Sequence, residues 1–200
     1  MLDMSSTNPK IVILAGPNGA GKSTAAPDIL KGALRVGEFV NADVIARGLS
    51  GFLPEEVSLQ AGRAMLHRIH QLASEKRDFA FETTLASRSF KQMIERLKRQ
   101  SSYSSYLVFL WLHSPELALA RVRNRVKMGG HNVSEEIVRR RYKSGLRNFF
   151  TLYLPVMDSW YLYDNSSENK SVLIAKGCRT EVSHVTAPEI WKKLKEQYYD

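Results

Sequence analysis

The stretch AGPNGAGKST, Ala15 to Thr24, follows the apolar run KIVILA of residues 10–15. A short run rich in β-branched residues is typical of a central parallel strand that is buried on both faces. The loop after it matches the spacing GxxxxGK[ST] at Gly16, Gly21, Lys22 and Ser23. Glycines let consecutive backbone N–H groups point inward at a helix N-terminus, where the helix dipole already favours an anion. The segment therefore predicts a strand, a phosphate-binding loop and a helix, in that order.

Each residue type in this loop has a role in binding a nucleotide. We expect Lys22 to reach the β- and γ-phosphates of ATP, and the Ser23 hydroxyl to coordinate Mg²⁺. The alternative is a glycine-rich turn without a ligand, but a strand, a lysine, a hydroxyl and a helix in register argue against it. We predict that ATP contacts Gly16, Pro17, Asn18, Gly19, Ala20, Gly21, Lys22, Ser23 and Thr24.

Strands and helices alternate along the sequence. Strands are predicted at residues 10–15, 38–43, 79–83, 106–112 and 172–176. Helices are predicted at residues 54–76, 89–99, 115–127 and 134–150, and a last helix follows a capping box formed by Thr186 and Glu189. The alternation indicates an α/β fold with three layers, in which helices cover both faces of a central, mainly parallel, five-stranded sheet. We expect one domain over residues 1–200.

The composition is that of an ordinary globular protein, with 44% hydrophobic and 24% charged residues. The single cysteine, Cys178, cannot form an internal disulfide and is expected to be structural. Neither a signal peptide nor an apolar run long enough to span a bilayer is recognisable. We therefore expect a cytoplasmic protein without a membrane partner.

The net charge of +9 is concentrated in one region of the sequence. Residues 121–147 contain nine Lys or Arg and two Glu, a net charge of +7. A basic protein can bind nucleic acid, an anionic membrane or small phosphorylated ligands. Because the excess is confined to one span, it favours the phosphates of small ligands over nucleic acid.

Residues that follow the strands are candidates for chemistry, since ligands of parallel sheets bind beyond the carboxyl ends of the strands. Asp43 ends the second predicted strand, where a carboxylate can accept the proton of a hydroxyl that attacks the γ-phosphate. The alternative role for Asp43 is the N-cap of a helix over VIARGL. The third strand ends in a group that can bind a polyhydroxylated or phosphorylated acceptor: Glu82, Thr83, Thr84 and Arg88. A surface ion pair between Glu82 and Arg88 is the alternative.

The two basic helices flank MGGHNV, whose paired glycines predict a mobile turn, so residues 121–147 have the features of a closing lid. On the second helix, Arg141 falls within the apolar stripe, whereas Arg140 points nearly opposite to it. A guanidinium on a packed face favours an anionic partner, which makes Arg141 a candidate phosphate ligand. On the first helix, Arg121 and Arg125 lie one turn apart beside the stripe.

In these motifs the sequence resembles the zeta-toxin family of P-loop kinases in its short, single-domain bacterial form. The matching segments are GPNGAGKST, NADVIARG, FETTLASRSF, RVRNRVKMGGHNVSEEIVRRRY and YDNSS at residues 163–167. The resemblance implies a P-loop NTPase fold akin to the nucleoside monophosphate kinases, with a helical arginine lid. It implies Asp43 as the catalytic base, Glu82, Thr83 and Thr84 as acceptor-site residues, and Arg125 with Arg140 or Arg141 as ligands of the phosphates.

The resemblance also implies an acceptor and a partner. Characterised zeta toxins phosphorylate a sugar hydroxyl of UDP-N-acetylglucosamine and are held inactive by an antitoxin protein. A small-molecule hydroxyl acceptor, such as a nucleotide sugar, and an antitoxin are therefore expected here. Asp164 and Asn165 lie either near the adenine or in a turn with Asx hydrogen bonds.

The predicted function is ATP-dependent transfer of the γ-phosphate to a small-molecule hydroxyl. Two other functions fit parts of the sequence: an ATPase or switch without an acceptor, and a nucleic-acid binder with a regulatory ATP site. The strand YLVFLWL ends in His113 and Ser114, so no hydrolytic glutamate beside the metal is evident there. His113 is expected to be a hydrogen-bonded residue at a strand end.

Overall fold

A computed structural model describes residues 8–51, 56–130, 132–167 and 170–199, and within them the chain forms one sheet of seven strands. The strands are β1 (Lys10–Ala15), β2 (Glu38–Val40), β3 (Phe79–Thr83), β4 (Ser104–Trp111), β5 (Ser159–Asp164), β6 (Val172–Cys178) and β7 (Glu181–Val185). Their order across the sheet is β2-β3-β1-β4-β5-β6-β7. The first five in this order are parallel, and β6 and β7 join as antiparallel strands. The prediction of an α/β fold with a mainly parallel central sheet is confirmed.

The described residues also form seven α-helices and three π- or 3₁₀-helical turns. The α-helices are α1 (Lys22–Ala26), α2 (Ala42–Leu49), α3 (Ser58–Ser74), α4 (Ser89–Ser101), α5 (Pro115–Lys127), α6 (Glu135–Asn148) and α7 (Pro188–Tyr198). A π-helical turn at Pro27–Ala33 extends α1, and another at Phe149–Tyr153 extends α6 into a 3₁₀ turn at Leu154–Val156. None of the helices in these described ranges is both long and apolar enough to cross a membrane.

The centre of the sheet is covered on both faces. Neighbouring side chains of a strand point to opposite faces, yet the residues from Ile11 to Ala15 are all buried, as are those from Ser105 to Trp111. This continuous burial requires layers of helices on both sides of the sheet. The apolar runs in the sequence indicated this arrangement correctly.

The two outer regions of the sheet differ from the sequence prediction. The strand predicted at residues 38–43 ends at Val40, because the side chain of Asn41 caps a helix that begins at Ala42. The strand predicted at residues 172–176 exists but runs antiparallel to β5. Strands β5 and β7 were not predicted. In β5 only Trp160 and Leu162 are buried, and β7 is almost wholly exposed, so neither gives a strong apolar signal.

Most helix boundaries agree with the prediction within a few residues. Ser114 caps α5, since its Oγ accepts a hydrogen bond from the N–H of Leu117 (3.2 Å). The helix predicted from Pro54 begins at Ser58 in the structure, and Pro54 itself lies outside the described residues. The capping box at Thr186 and Glu189 is wrong. Helix α7 begins after Ala187 without a side-chain cap, and Pro188 occupies its first turn.

A half-buried ion pair joins α4 to the start of β5. The ammonium of Lys98 donates to Asp158 Oδ1 (2.6 Å) and to the Val156 carbonyl (2.7 Å). The second carboxylate oxygen of Asp158 accepts the N–H (2.9 Å) and the hydroxyl (3.0 Å) of Ser105. Burial alone would raise the pKa of Asp158, but the bonds from Lys98 and Ser105 outweigh it and lower the pKa. These bonds fix the edge of the parallel region.

We expect Asp158→Asn to lower the free energy of unfolding by about 1–3 kcal/mol at pH 7, because it removes charge-assisted hydrogen bonds. The wild-type Asp158 has a lowered folded pKa, so its stabilisation is full above the ordinary carboxyl pKa and is lost as the pH falls through the folded value. The difference in the free energy of unfolding between the variant and the wild type should therefore become smaller in acid. Urea denaturation at several pH values measures it.

Glu95→Gln on the same helix is the matched control. Glu95 contacts Lys91 at 3.6 Å on the surface, and such a pair contributes at most about 0.5 kcal/mol. Equal losses in the two variants would show that the Asp158 bonds do not stabilise the fold specifically.

Candidate active site

Close packing around the first glycine of the phosphate-binding loop determines which residue can stand there. Gly16 has φ +143°, and a Cβ atom there would lie 2.3 Å from the carbonyl oxygen of Leu110 on β4. No side chain fits in this space, so glycine is required where the chain leaves β1. The loop is thereby a backbone cradle, and its shape fits the phosphate group that the sequence motif predicts.

The side chain of Lys22 is buried beneath this cradle, with 6% exposure. Its ammonium donates to the carbonyl oxygens of Gly16 and Pro17, both at 2.9 Å, and lies 3.6 Å from Oε1 of Glu82. Burial lowers the pKa of Lys22, while the carboxylates of Glu82 and Asp43 act to raise it. A bound phosphate would act in the same direction as these carboxylates and stabilise the charged form.

Oxygen atoms from two elements meet beside Lys22. The Ser23 hydroxyl donates to Oε2 of Glu82 at 2.8 Å, and the amide nitrogen of Asn41 donates to the same oxygen at 2.7 Å. Mg²⁺ prefers oxygen ligands and is commonly held by one or two protein groups together with substrate phosphates. The residues at this position therefore fit a magnesium ion. The carboxylate also changes an expectation from the sequence, because a glutamate does lie beside the predicted metal ligand.

An open cleft of about 480 Å³ runs from this loop toward α6. It brings together most of the residues predicted for the site, as well as several that were not. The predicted residues in its lining are Asn18, Gly19, Ala20, Gly21, Lys22, Ser23, Thr24, Asp43, Glu82, Thr83, Thr84, Arg125 and Arg141. Arg88 and Arg140 are exposed and do not line it. The surface ion pair between Glu82 and Arg88, which was the alternative interpretation, is not formed, since Glu82 bonds to Ser23 and Asn41.

Asp43 lies in the first turn of α2, not at the end of a strand. The cap of this helix is Asn41, whose Oδ1 accepts the N–H groups of Asp43 (2.8 Å) and Val44 (3.2 Å). The alternative role of Asp43 as the N-cap is therefore wrong, and its side chain lines the cleft instead. Electrostatically, its carboxylate acts on both Lys22 and Arg141.

Helix α6 packs closely on the segment after β3. A Cβ atom on Gly145 would lie 2.4 Å from the Thr84 carbonyl oxygen, so only glycine allows this approach. Asn148 reinforces it by donating to the carbonyl oxygens of Leu85 (2.9 Å) and Ala86 (3.1 Å). This packing directs Arg141, one turn before Gly145, into the cleft, as helical periodicity predicted. Burial lowers the pKa of Arg141, and the nearby Asp43 carboxylate partly opposes the shift.

The segment after β5 holds the other side of the phosphate loop. Asn165 donates from Nδ2 to the carbonyl oxygen of Ala20 at 2.7 Å. Arg121 in turn donates to the carbonyl oxygens of Asn165 (2.8 Å) and Ser166 (2.7 Å). Asp164 accepts the N–H of Ser166 at 2.9 Å, which is the Asx turn that was one of the two alternatives for this segment. Sequence reasoning missed the contact of Asn165 with the loop.

The paired glycines after α5 form a regular helix end. Gly130 donates its N–H to the carbonyl of Arg125, and Gly129 donates to that of Val126, both at 2.9 Å. This pair of bonds is a Schellman motif. The turn that the sequence suggested as mobile therefore has ordinary hydrogen bonds of its own, and Arg125 lies within the capped last turn.

Together, the sheet order, the glycine loop and the basic helices beside the cleft define a P-loop kinase-like fold, a class that binds nucleotides. The chain belongs to the AAA domain family, whose model matches residues 11–152. It is 31% identical over 133 residues to an uncharacterized protein of Haemophilus influenzae, across 66% of this chain and 92% of that relative.

Similar solved structures include kinases and toxins. The fold matches a chain of the AvrRxo1-ORF1–ORF2 complex with ATP at a TM-score of 0.74 and 17% identity, covering 94% of this chain but only 63% of that one. It matches the PezAT chromosomal toxin-antitoxin system of Streptococcus pneumoniae at a TM-score of 0.67 and 18% identity, covering 98% and 80%. A putative kinase of Chloroflexus aurantiacus matches at 0.54 and 16% identity, covering 66% and 79%. At these identities the likeness is one of fold.

We expect Gly145→Ala to lower the free energy of unfolding by about 1–3 kcal/mol, because the new methyl group overpacks the contact with Thr84. Gly62→Ala in α3 is the control, since a Cβ atom there meets no atom within 4 Å. An alanine in such a helix interior should stabilise by about 0.5–1 kcal/mol. Urea denaturation of both variants measures the difference. If Gly145→Ala is as stable as the control, α6 does not depend on this close approach.

Proposed function

We propose that this protein is an ATP-dependent phosphotransferase related to the zeta toxins, which moves the γ-phosphate of ATP to a hydroxyl of a small molecule. The observation that carries the proposal is the joint presence of Lys22, Asp43 and Arg141 in one cleft. A phosphoryl transfer needs cations around the migrating phosphate and a carboxylate beside the attacking hydroxyl. A nucleotide sugar such as UDP-N-acetylglucosamine is the acceptor class that we propose.

In the proposed reaction, Asp43 accepts the proton of the acceptor hydroxyl as its oxygen forms a bond to the γ-phosphorus. The bond between that phosphorus and the oxygen bridging it to the β-phosphate breaks, and ADP leaves with the bonding electron pair. Lys22, Arg125 and Arg141 stabilise the negative charge that spreads over the phosphate oxygens. Arg141 is the more suitable of the two neighbouring arginines, since Arg140 is exposed and does not line the cleft.

Mg²⁺ would be held by Ser23, with Glu82 close enough to orient its water ligands. When bound, such an ion neutralises charge on the β- and γ-phosphates. We also propose for Glu82 the acceptor-binding role predicted from the sequence, because it lines the cleft together with Thr83 and Thr84. These two threonines supply hydroxyl groups, and Met65 and Phe90 supply apolar surface, for binding an acceptor.

We also propose that residues 121–147 act as a lid over the phosphates and that an antitoxin protein is the cellular partner. The lid is supported by Arg125 and Arg141, which reach the cleft from two consecutive helices. The partner is supported by the similarity of the fold to the PezAT toxin-antitoxin system.

A second candidate function is ATP hydrolysis without an acceptor. It is favoured by the position of Glu82, whose carboxylate lies 2.8 Å from the Ser23 hydroxyl and can orient a water molecule toward the γ-phosphate. Comparing ADP release with and without a metabolite extract separates the two functions. A phosphotransferase releases ADP in proportion to the labelled product, whereas an ATPase releases it equally under both conditions and loses activity in Glu82→Gln.

We expect Asp43→Asn to reduce phosphate transfer from labelled ATP by at least about 100-fold, because general-base catalysis contributes roughly 10²–10⁴-fold. Its affinity for ATP should stay close to that of the wild type, since the phosphate loop is unchanged. Labelling of metabolites in a cell extract measures transfer, and calorimetry measures binding. Asp28→Asn, an exposed carboxylate outside the cleft, is the control. Full transfer activity in Asp43→Asn would remove Asp43 from the mechanism.

A further inference from the structure

Asn41 is a buried polar side chain at the junction of three elements of the site. It follows the last residue of β2 and is only 5% exposed. The side-chain oxygen Oδ1 of Asn41 accepts hydrogen bonds from the N–H groups of Asp43 at 2.8 Å and Val44 at 3.2 Å, which caps α2. Its amide nitrogen donates to Oε2 of Glu82 at 2.7 Å and lies 3.5 Å from the hydroxyl of Ser23. One short side chain therefore uses both ends of its amide.

We propose that Asn41 is a positioning residue that fixes the Glu82 carboxylate relative to the helix start that carries Asp43. This inference rests on the proposed phosphotransferase function and deepens it. Glu82, on the proposed metal side of the cleft, belongs to β3, whereas Asp43, the proposed base, lies on the helix that follows β2. Asn41 is hydrogen-bonded to both residues. These bonds fix the position of Asp43, the proposed proton acceptor, relative to the Glu82 carboxylate, so that both would be correctly oriented toward one bound phosphate.

The chemistry of the amide explains why asparagine is needed here. The cap of α2 requires an acceptor, which Asp and Ser supply about as well as Asn. The bond to Glu82 requires a donor at the other end of the side chain. An ionised aspartate has no donor, and it would face the Glu82 carboxylate at the distance of a hydrogen bond. Serine has one hydroxyl on a shorter side chain and cannot serve both partners.

Two substitutions therefore separate capping from positioning. Asn41→Asp keeps the cap and the size of the side chain, but it replaces attraction to Glu82 by repulsion. Asn41→Ser keeps the cap and loses the reach to Glu82 without adding a charge. If Asn41 served only as a helix cap, Asn41→Ser would resemble the wild type in every property of the site.

The test measures four quantities for the wild type and both variants. These are the midpoint of urea unfolding, the affinity for ATP with Mg²⁺ and with a chelator, kcat and KM for transfer from labelled ATP, and the pH profile of kcat. We expect Asn41→Asp to unfold at a lower urea concentration than the wild type, because two carboxylates then face each other, and Asn41→Ser to lose less stability. We expect kcat to fall about 10- to 100-fold, the range typical when an outer-shell partner of a metal site is removed. The gain in ATP affinity from Mg²⁺ should shrink.

The pH profile gives a result that a purely structural role would not produce. Two carboxylates that share a site cannot both ionise easily, so one of them in Asn41→Asp takes up a proton more readily than usual. Protonated Asp can donate to Glu82 as the amide does. The ratio of variant to wild-type kcat should therefore rise as the pH falls, and Asn41→Ser should show no such recovery.

The outcomes distinguish this inference from the proposed function. Wild-type kcat and Mg²⁺ dependence in Asn41→Ser would overturn the role of Asn41 and leave the phosphotransferase in place. A loss of kcat that is fully explained by the unfolded fraction of each variant under the assay conditions would also overturn it. If the wild type binds ATP with Mg²⁺ but transfers phosphate to no acceptor, the proposed function fails. The role of Asn41 in holding Glu82 would then still be supported by a reduced Mg²⁺ effect on ATP affinity in the variants.

Discussion

The buried ammonium of Lys22 sets the conditions for the rest of the cleft. A charge removed from water is costly unless other groups replace its hydration. Here two backbone carbonyls and the Glu82 carboxylate do so, and they can only do so because the loop turns back over the lysine. The loop conformation and the charge therefore stabilise each other. The same balance favours a bound anion. Burial destabilises the charged form of Lys22, and the negative charge of a phosphate would stabilise it.

The strand order explains how Glu82 reaches this position. Strand β1 lies between β3 and β4, and in the parallel register Leu14 pairs with Glu82 and Ala15 with Thr83. The last residues of β3 are thus level with the residues that enter the phosphate loop. Parallel pairing therefore places the Glu82 carboxylate beside the phosphate loop, although Glu82 is far from the loop in sequence. The opposite neighbour, β4, supplies the Leu110 carbonyl that limits the loop to glycine at Gly16.

The sequence predicted those parts of the fold and site that depend on local signals. The apolar run of β1, the spacing of the loop and the inward direction of Arg141 all follow from neighbouring residues. The sequence did not reveal the contacts of Asn165 and Asn41, because each acts through a distant partner: Ala20, 145 residues from Asn165, and Glu82, 41 residues from Asn41. The close approach of Gly145 to Thr84 depends on tertiary packing and has no local signal in the sequence. Strand β7 is exposed and polar, so tertiary pairing alone defines it.

The distribution of charge in the cleft also constrains the acceptor. Of the cations in its lining, Lys22 lies under the loop and Arg121 is bonded to the carbonyls of Asn165 and Ser166. Arg125 and Arg141 also line the cleft, and next to the carboxylates of Asp43 and Glu82 the lining includes uncharged side chains of threonine, methionine and phenylalanine. For the proposed transfer, these carboxylates disfavour an anionic group next to the γ-phosphate and favour a neutral part of the acceptor that carries a hydroxyl. A nucleotide sugar, the proposed acceptor class, would then have to place its own diphosphate away from these carboxylates.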